Sequence, residues 1–258
     1  MSLTQADART GTGGGAHAGP PGARLVLSGV RLGHRGNVVL DEVDLTVEPG
    51  EVLAVVGPSG CGKSTLLRTL AGLLPPLGGT VEQDGAPVTG PDADRALVFQ
   101  DDALLPWRTV RANVELPLAI GRSAGRLPRA ERRRTAEEWL ERVGLAGHAH
   151  KLPHQLSGGQ RQRVQLARAL VARPRAVLMD EPFGALDAQT RAEMQDLLVD
   201  VLAGTGATVV FVTHDVDEAL FLGDRVALPA TGEVLDVPRP RTRAADHAAL
   251  RRQIINSL

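Results

Sequence analysis

A glycine-rich segment that ends in lysine and serine is the first feature of the sequence with an evident chemistry. Residues 57–64, Gly-Pro-Ser-Gly-Cys-Gly-Lys-Ser, have the spacing G-x-x-x-x-G-K-[S/T] and lie between the apolar run Val52–Val56 and a predicted helix over 65–74. Glycines let backbone amides wrap around a phosphate, and the N-terminus of a helix adds positive potential. We therefore predict a phosphate-binding loop in which Lys63 contacts the β- and γ-phosphates of a nucleoside triphosphate and Ser64 binds Mg²⁺.

The whole loop is predicted to contact the nucleotide, through Gly57, Pro58, Ser59, Gly60, Cys61, Gly62, Lys63, Ser64 and Thr65. The alternative is a glycine-rich turn that binds nothing, and the strand and helix on either side argue against it. We interpret Cys61, the only cysteine of the chain, as a small spacer; a redox switch is the alternative. A single cysteine also excludes an intramolecular disulfide and a zinc site built from several cysteines.

Polar residues also follow two other apolar runs, 176–179 and 208–212. After the first, Asp180 is predicted to hold Mg²⁺, directly or through water, and Glu181 to polarise an attacking water as a general base. After the second, His214 is placed where it would contact the γ-phosphate. The alternative for Asp180 and Glu181 is that they are two solvated acids, and the alternative for His214 is a structural role. The presence of the phosphate loop makes each alternative less favoured.

A second anion site is predicted at the start of another helix, at Leu156, Ser157, Gly158, Gly159 and Gln160. Ser157 is a good N-cap residue, and the two glycines leave backbone amides unobstructed. The alternative is an ordinary capped helix. Because a free helix N-terminus attracts anions, and one phosphate loop suffices for one nucleotide, the second site suggests two chains that share each nucleotide.

The elements that must position these residues follow from the hydrophobic pattern. The three continuous apolar runs suit strands that are buried on both faces of a parallel sheet, and ligands of such sheets bind beyond the carboxyl ends of the strands. Residues 25–32 and 43–47 are predicted to be antiparallel strands. Residues 101–172 are predicted to form a helical subdomain inserted into the α/β core, with Val164, Ala167 and Val171 on one helical face.

The composition narrows the class of protein. The chain has 258 residues with 43% hydrophobic residues, and its 29 Lys and Arg nearly balance 30 Asp and Glu. A balanced charge gives no overall attraction to nucleic acid, so we expect no nucleic-acid partner. No apolar run reaches the length of a membrane span, and no secretory signal is evident, so a cytosolic location is expected. Residues 1–22 are predicted to be a flexible arm.

Taken together, the motifs resemble the ATP-binding cassette (ABC) family over about residues 24–235. Six motifs stand in that family's order: Walker A at 57–64, the Q-loop at Gln100, the signature at 156–160, Walker B at 176–181, the D-loop at Asp187 and the switch histidine at His214. The resemblance implies a P-loop NTPase fold, with a mostly parallel core sheet, an antiparallel β subdomain and an inserted helical subdomain.

The resemblance also implies how such a chain works. Two identical subunits would form a head-to-tail homodimer and enclose two ATP molecules, each between the Walker A loop of one subunit and residues 157–160 of the other. Gln100 would sense Mg²⁺ and the nucleotide while its loop touches a membrane subunit. The implied domain lies at 23–237, followed by a short basic tail at 238–258. The implied partners are two transmembrane permease subunits and an extracytoplasmic solute-binding protein, with the ATPase on the cytoplasmic side of the cell membrane.

The segment after the Q-loop points to a subgroup. Leu104-Leu105-Pro106-Trp107 resembles the nitrate, sulfonate and taurine importers, and the tail resembles the members that import aliphatic sulfonates. Aliphatic sulfonates are therefore the expected substrates, with taurine, nitrate or a related small nutrient as alternatives. A packing role under the Q-loop is the alternative for Trp107. A soluble ABC ATPase without a transport role, or an exporter ATPase, is the rival function.

One departure from the family generates a prediction. Where the family usually has an aromatic residue stacked on adenine, this chain has His34, whose smaller ring can still stack. His34→Ala is therefore expected to weaken ATP binding modestly, and selectivity over GTP with it. Titration with a fluorescent ATP analogue measures this, and unchanged affinity in the variant would remove the stacking role.

Overall fold

Two β-sheets organise the fold. The computed structural model describes residues 21–34, 37–101, 103–120, 126–238 and 247–258, with position 34 described by its backbone alone. The strands are β1 (Leu25–His34), β2 (Asn37–Val47), β3 (Val52–Val56), β4 (Gly78–Gln83), β5 (Ala86–Pro87), β6 (Arg95–Val98), β7 (Ala176–Asp180), β8 (Thr208–Thr213), β9 (Arg225–Leu228) and β10 (Glu233–Asp236). The helices are α1 (Lys63–Leu70), α2 (Val110–Ile120), α3 (Arg129–Arg142), α4 (Gly158–Leu170), α5 (Ala188–Ala203), α6 (Val216–Leu222) and α7 (Ala248–Ser257), with 3-10 turns at Ala146–His148 and Pro153–Gln155.

The larger sheet has six strands in the order β10-β9-β3-β8-β7-β6, and every pair except β10 with β9 is parallel. All residues of β3, β7 and β8 are buried. Strands covered on both faces have no solvent side, so their sequences are continuous rather than alternating apolar runs. The predicted mostly parallel core sheet is therefore confirmed, with its central strands where the apolar runs lie.

The smaller sheet is antiparallel, with the order β2-β1-β4-β5. It lies over the larger sheet, and α1 packs between them through Leu66, Leu67 and Leu70, which are all buried. This second core joins the hairpin to the phosphate-loop helix. The predicted antiparallel subdomain is confirmed, and it supports the loop from the side away from the other helices.

Helices α2, α3 and α4 lie against one another and form the helical part of the chain. Trp139, Leu140 and Val143 are buried on one side of α3 and at its end, as are Val164 and Ala167 on α4. Trp107, by contrast, is 74% exposed. The packing alternative for Trp107 is therefore wrong, because most of its ring faces solvent.

Helix α1 is shorter than the predicted helix over 65–74. It ends at Leu70 because the chain turns at Gly72, which has φ +76°, a conformation that L side chains rarely adopt. A Cβ at Gly72 would lie 2.2 Å from the carbonyl oxygen of Gly90. The Gly72 N–H donates to the Thr69 carbonyl at 3.0 Å and the Leu73 N–H donates to the Arg68 carbonyl at 2.8 Å, a local glycine cap that ends the helix. The close approach of Gly90 leaves no room for a side chain at Gly72.

The two ends of the described chain are held by specific contacts. The Arg175 guanidinium donates to the carbonyls of Pro21 and Gly22, so these two residues belong to the fold although the predicted flexible arm includes them. Positions 1–20 of that arm, and 239–246 of the tail predicted at 238–258, lie outside the described residues. In α7, Ile254 is buried and Arg251 pairs with Asp217 at 2.7 Å. No helix in the described ranges is long and apolar enough to cross a membrane.

Two glycines with nearly the same backbone conformation test the close approach at Gly72. Gly85 has φ +79°, but a Cβ there would meet nothing within 4 Å. Gly85→Ala is expected to lower the free energy of unfolding by about 1 kcal/mol, the cost of a left-handed alanine. Gly72→Ala is expected to cost about 3 kcal/mol, because it adds a clash with backbone. Urea denaturation measures both, and equal losses would contradict the clash.

Candidate functional site

The candidate site lies where three neighbouring strands end. In the parallel register, Val56 of β3 pairs with Thr213 of β8, and Asp180 of β7 pairs with Val212 of β8. The phosphate loop begins directly after Val56, and His214 follows Thr213. The sheet therefore brings the loop, the two acidic residues and the histidine to one edge, as the order of the apolar runs predicted.

Two glycines give the phosphate loop its shape. Gly60 has φ +84° and Gly62 has φ +101°, and Gly62 is the N-cap of α1. A Cβ at Gly60 would meet nothing within 4 Å, while one at Gly62 would press against Val39 and Leu40 of β2 at 3.0 Å. The loop thus presents open backbone on one side and rests on the hairpin on the other, a shape suited to an anion. The side chain of His34, predicted to stack on adenine, lies outside the described part of the structure.

The side chain of Lys63 crosses beneath this loop. Its ammonium donates to the carbonyl oxygens of Gly57 and Pro58, at 2.7 and 2.9 Å, and the residue is only 5% exposed. These two bonds use two of its three donors. In the described ranges no carboxylate forms an ion pair with this ammonium, and a buried cation of this kind is suited to a bound anion. A Cβ at Gly57 would lie 2.7 Å from the Cys61 Sγ, so glycine is needed at position 57, and the spacer role of Cys61 stays a prediction.

Ser64 and Asp180 meet across the site. The Ser64 hydroxyl donates to Asp180 Oδ1 at 3.0 Å, which joins the first turn of α1 to the end of β7. Hydroxyl and carboxylate oxygens are ligands that Mg²⁺ accepts, and Mg²⁺ usually keeps waters and phosphate oxygens as its other ligands. Within the described ranges, no group of three or more His, Cys, Asp or Glu residues could hold a metal ion. The pair therefore fits a magnesium ion that is shared with a phosphate, and not a metal site built from protein alone.

Glu181 and His214 form the second contact of the site. His214 Nδ1 lies 3.3 Å from Glu181 Oε2, and the histidine side chain is 60% exposed whereas that of the glutamate is 19% exposed. Glu181 has φ +42°, a left-handed conformation that is unusual for a non-glycine residue, and its N–H donates to the carbonyl of Val212 at 3.1 Å. Strained residues of this kind cluster at functional sites, where the surrounding structure holds them. Glu181 and His214 therefore stand together at the edge of the sheet where the phosphate loop begins.

The loop that carries Gln100 is held by a residue that the sequence did not single out. Gln100 is exposed, while Gln165 of α4 is buried and donates to the carbonyls of Phe99 and Asp101, at 2.8 and 3.0 Å. One side chain thus fixes the backbone on both sides of Gln100. No local signal could have revealed it, because the partners are more than 60 positions apart.

The helix predicted to hold a second anion begins as expected. The Ser157 hydroxyl accepts from the Gln160 N–H at 3.3 Å, and Gln160 Oε1 accepts from the Ser157 N–H at 3.1 Å, a capping box. Ser157 and Gly158 are exposed, and a Cβ at Gly159 would lie 2.6 Å from the Thr190 side chain. The turn packs on the start of α5 and leaves its outer amides open. Leu156, which precedes it, is buried.

Asp187 begins α5 as its N-cap. Its carboxylate accepts from the Thr190 N–H at 3.0 Å and from the Thr190 hydroxyl at 2.7 Å. These bonds, the backbone one first, lower the pKa of Asp187 below its usual range. In one chain, Asp187 is therefore a charged helix cap beside the signature turn.

Beneath His214 lies a buried polar group that the sequence did not reveal. Gln195 of α5 donates to the Glu218 carboxyl of α6 at 3.0 Å, and the Thr213 hydroxyl donates to the same carboxyl. Burial raises the pKa of Glu218, while the hydrogen bonds from Thr213 and Gln195 lower it by less. The neighbouring charges are Asp215, which raises the pKa, and Arg191, which lowers it. The local sequence gives little sign of it, because α6 has two acids in its first turn, Asp217 and Glu218, and only Glu218 is buried.

Comparison with known proteins identifies relatives of the chain. A family model described as ABC transporter matches residues 40–184. A taurine import ATP-binding protein of Yersinia pestis is 47% identical over 214 residues, which cover 82% of this chain and 82% of that protein. A nitrate import ATP-binding protein of Synechococcus elongatus is 47% identical over 234 residues, which cover 86% of this chain and 35% of that protein.

A solved structure is similar over most of the chain. It is a dimeric ATP-binding cassette bound to ADP and phosphate, with a TM-score of 0.72 and 34% identity. The similarity covers 84% of this chain and 100% of that chain. Both the predicted fold class and the predicted family are confirmed by these comparisons.

The burial of Glu218 predicts a pH dependence of stability. As pH rises past the ordinary pKa of a glutamate, the unfolded chain releases the proton before the folded chain does, so folding stability falls. The Glu218→Gln variant has no titratable group at this position, so it lacks this pH-dependent loss of stability. The melting temperature of the variant minus that of the wild type should therefore rise between about pH 4 and about pH 7. Differential scanning fluorimetry across that range measures it.

Glu137→Gln is the control of opposite sign. Hydrogen bonds from Arg133 and Arg111 hold the pKa of Glu137 below its usual range, so its contribution to stability is present above the unfolded pKa and lost as pH falls. Its melting-temperature difference should therefore decrease as pH rises. A flat difference for Glu218→Gln, with the expected slope for Glu137→Gln, would contradict the effect of burial.

Proposed function

The chain belongs to the ABC transporter family and is an ATPase of that family, and we propose that its ATP hydrolysis energises the import of small aliphatic sulfonates across a cell membrane. It acts as a homodimer on the cytoplasmic side, bound to two transmembrane permease subunits. An extracytoplasmic solute-binding protein delivers the substrate to them.

The observation that carries this proposal is the pair of contacts at adjacent strand ends. Ser64 meets Asp180 at 3.0 Å, and Glu181 meets His214 at 3.3 Å, both beside the phosphate loop. One contact fits the binding of Mg²⁺ and the other the handling of water. A loop that only bound a nucleotide would need the first contact and not the second.

The binding step uses the charge and the open backbone of the loop. Lys63 keeps one donor for a β- or γ-phosphate oxygen while its other two bond to Gly57 and Pro58. The amides of residues 59–65 surround the phosphates. Ser64 and Asp180, with Gln100, are the residues that would hold Mg²⁺, and a bound ion would offset the negative charge of the phosphates.

The hydrolytic step uses the second contact. Glu181 accepts a proton from the attacking water, which raises the water's reactivity as general bases do, by roughly 10²–10⁴-fold. His214 orients the Glu181 carboxylate through its Nδ1 and, in this proposal, contacts the γ-phosphate of the bound nucleotide.

The remaining ATP contacts come from the partner subunit. The capped turn from Leu156 to Gln160 has its outer amides exposed, and the positive end of α4 suits a phosphate. The similarity to a dimeric cassette supports the dimer. Asp187 lies beside this turn, so both segments belong to the face where the second subunit binds.

A groove next to Gln100 is the proposed docking site of the permease. It lies between the Q-loop and the helical part of the chain and is lined by Phe99, Leu105, Pro117 and Ile120 among others. Phe99 is 40% exposed and Ile120 is 71% exposed. An apolar segment of a membrane subunit would cover these side chains. A movement at the nucleotide site would be transmitted to this segment through the loop that carries Gln100.

Small sulfonates are favoured as the imported class because taurine, itself an aminosulfonate, is the substrate named for a relative covered over 82% of its length. Nitrate is the second candidate, since a nitrate import protein is equally identical, although the chain spans 35% of it. Both substrates are small molecules with a negatively charged group of oxygens, the sulfonate of taurine and nitrate itself. The choice between them belongs to the permease and the binding protein.

Trapping the closed dimer tests the proposal. Glu181→Gln keeps the size of the side chain but removes the base, so hydrolysis should fall by at least about 100-fold while ATP binding persists. Tagged variant protein with ATP and Mg²⁺ is mixed with detergent-solubilised membranes of the native host, and the captured proteins are identified by mass spectrometry. A multispanning permease with a sulfonate-binding protein is expected.

Two further variants in the Glu181→Gln background test the groove. Ile120→Glu places a charge in it and should abolish capture of the permease but not the dimer. Leu73→Glu changes another exposed apolar side chain, 47% exposed and outside the groove lining, and should leave capture intact. Ribosomal or DNA-repair proteins without any permease would mean that the ATPase serves another process.

A further inference from the structure

A chain of buried hydrogen bonds connects the interior to the residue that precedes the switch histidine. Gln195, Glu218 and Thr213 are 5%, 6% and 2% exposed. Gln195 Nε2 donates to Glu218 Oε1 at 3.0 Å, and the Thr213 hydroxyl donates to the same carboxyl. Such a carboxyl has little access to water, so its bonding partners within the protein fix its position.

The Thr213 hydroxyl also reaches across His214. It accepts from the Asp215 N–H at 3.0 Å while it donates to Glu218. One hydroxyl, that of Thr213, therefore links the residues on the two sides of His214. Its orientation depends on the Glu218 carboxyl. If that carboxyl is removed, the hydroxyl is free to rotate and the turn loses its fixed partner.

The same chain reaches the helix that starts at the D-loop. Gln195 lies on α5, which begins after Asp187. Arg191, one turn before Gln195, donates to the Leu186 carbonyl at 3.1 Å and pairs with Asp215 at 3.5 Å. Two side chains of α5 thus hold the turn around His214, one from the interior and one from the surface.

We infer that Glu218 is a positioning residue for ATP hydrolysis: with Gln195 and Thr213 it fixes the turn that carries His214 and links this turn to α5. The inference rests on the proposed role of His214. Glu218 touches neither nucleotide nor water in this role and acts only through Thr213. A misplacement of His214 by a fraction of an ångström would separate it from Glu181, which it contacts at 3.3 Å.

The test is a double-mutant cycle on purified full-length chain, with kcat and KM for ATP as readouts. Thr213→Val, which keeps the shape of the side chain, and Glu218→Leu should each lower kcat roughly tenfold and leave KM for ATP within about twofold. The double variant should be no slower than the slower single variant, because both changes break the same chain. Glu218→Gln retains a hydrogen-bonding group for each partner and should keep kcat within about threefold of wild type.

Thr208→Val is the matched control. Thr208 is a fully buried threonine at the start of the same strand, and its hydroxyl bonds to the Ala23 carbonyl and the Gly50 N–H at 2.6 and 3.0 Å. Its replacement should lower the melting temperature about as much as Thr213→Val does and leave kcat unchanged. Loss of activity in this control would mean that general destabilisation explains the effect.

Two other outcomes would overturn the inference, and a third points elsewhere. If folded Thr213→Val protein has the kcat of the wild type, the series of hydrogen bonds plays no part in the reaction. This variant alone decides the question if Glu218→Leu does not fold. Effects of Thr213→Val and Glu218→Leu that multiply in the double variant would mean two independent sites. His214→Ala with undiminished hydrolysis would instead refute the proposed role of His214 itself, on which the inference depends.

Discussion

The parallel pairing of β3, β8 and β7 is the constraint on which the candidate site depends. These strands are buried on both faces, so polar groups can stand only where the strands end. The register sets those ends side by side, Val56 with Thr213 and Asp180 with Val212. A slip of one residue between strands would move their ends by about 3.3 Å and turn each side chain to the opposite face. The 3.0 Å contact of Asp180 with α1 would then be lost.

Features that depend on a few consecutive residues could be predicted from the sequence. The run Val52–Val56 predicts a buried strand, and the glycines that follow it predict a loop with residues in the left-handed conformation. Ser157 and Gln160 stand three apart before an apolar stripe, and this spacing alone predicts the capping box that the structure contains. Because three such strands end in polar residues, the convergence of the site was also predictable.

Features that depend on distant segments could not be predicted. The glycine cap that ends α1 is a local signal, but the close approach of Gly72 to the backbone of Gly90, 18 positions away, is not. Gln165 holds both sides of the Gln100 loop, and its sequence neighbourhood is an ordinary helical stripe. Trp107 is exposed although tryptophans in such segments are more often packed. In each case the deciding partner is set by tertiary packing, which no periodicity of 2 or 3.6 residues encodes.

Two buried ionisable side chains near the site are held in different ways, and the difference indicates what each can do. Lys63 bonds to two carbonyls and carries three donors, so it retains capacity for an incoming anion. Glu218 bonds to the side-chain amide of Gln195 and the hydroxyl of Thr213, and burial raises its pKa. A buried cation that is held by carbonyl dipoles is stabilised further by an anionic ligand. A buried carboxyl that already accepts hydrogen bonds inside the protein does not need a charged ligand. Lys63 is therefore placed to bind an anion, and Glu218 is placed to hold the turn that carries His214, the residue that we propose acts on the bound phosphate.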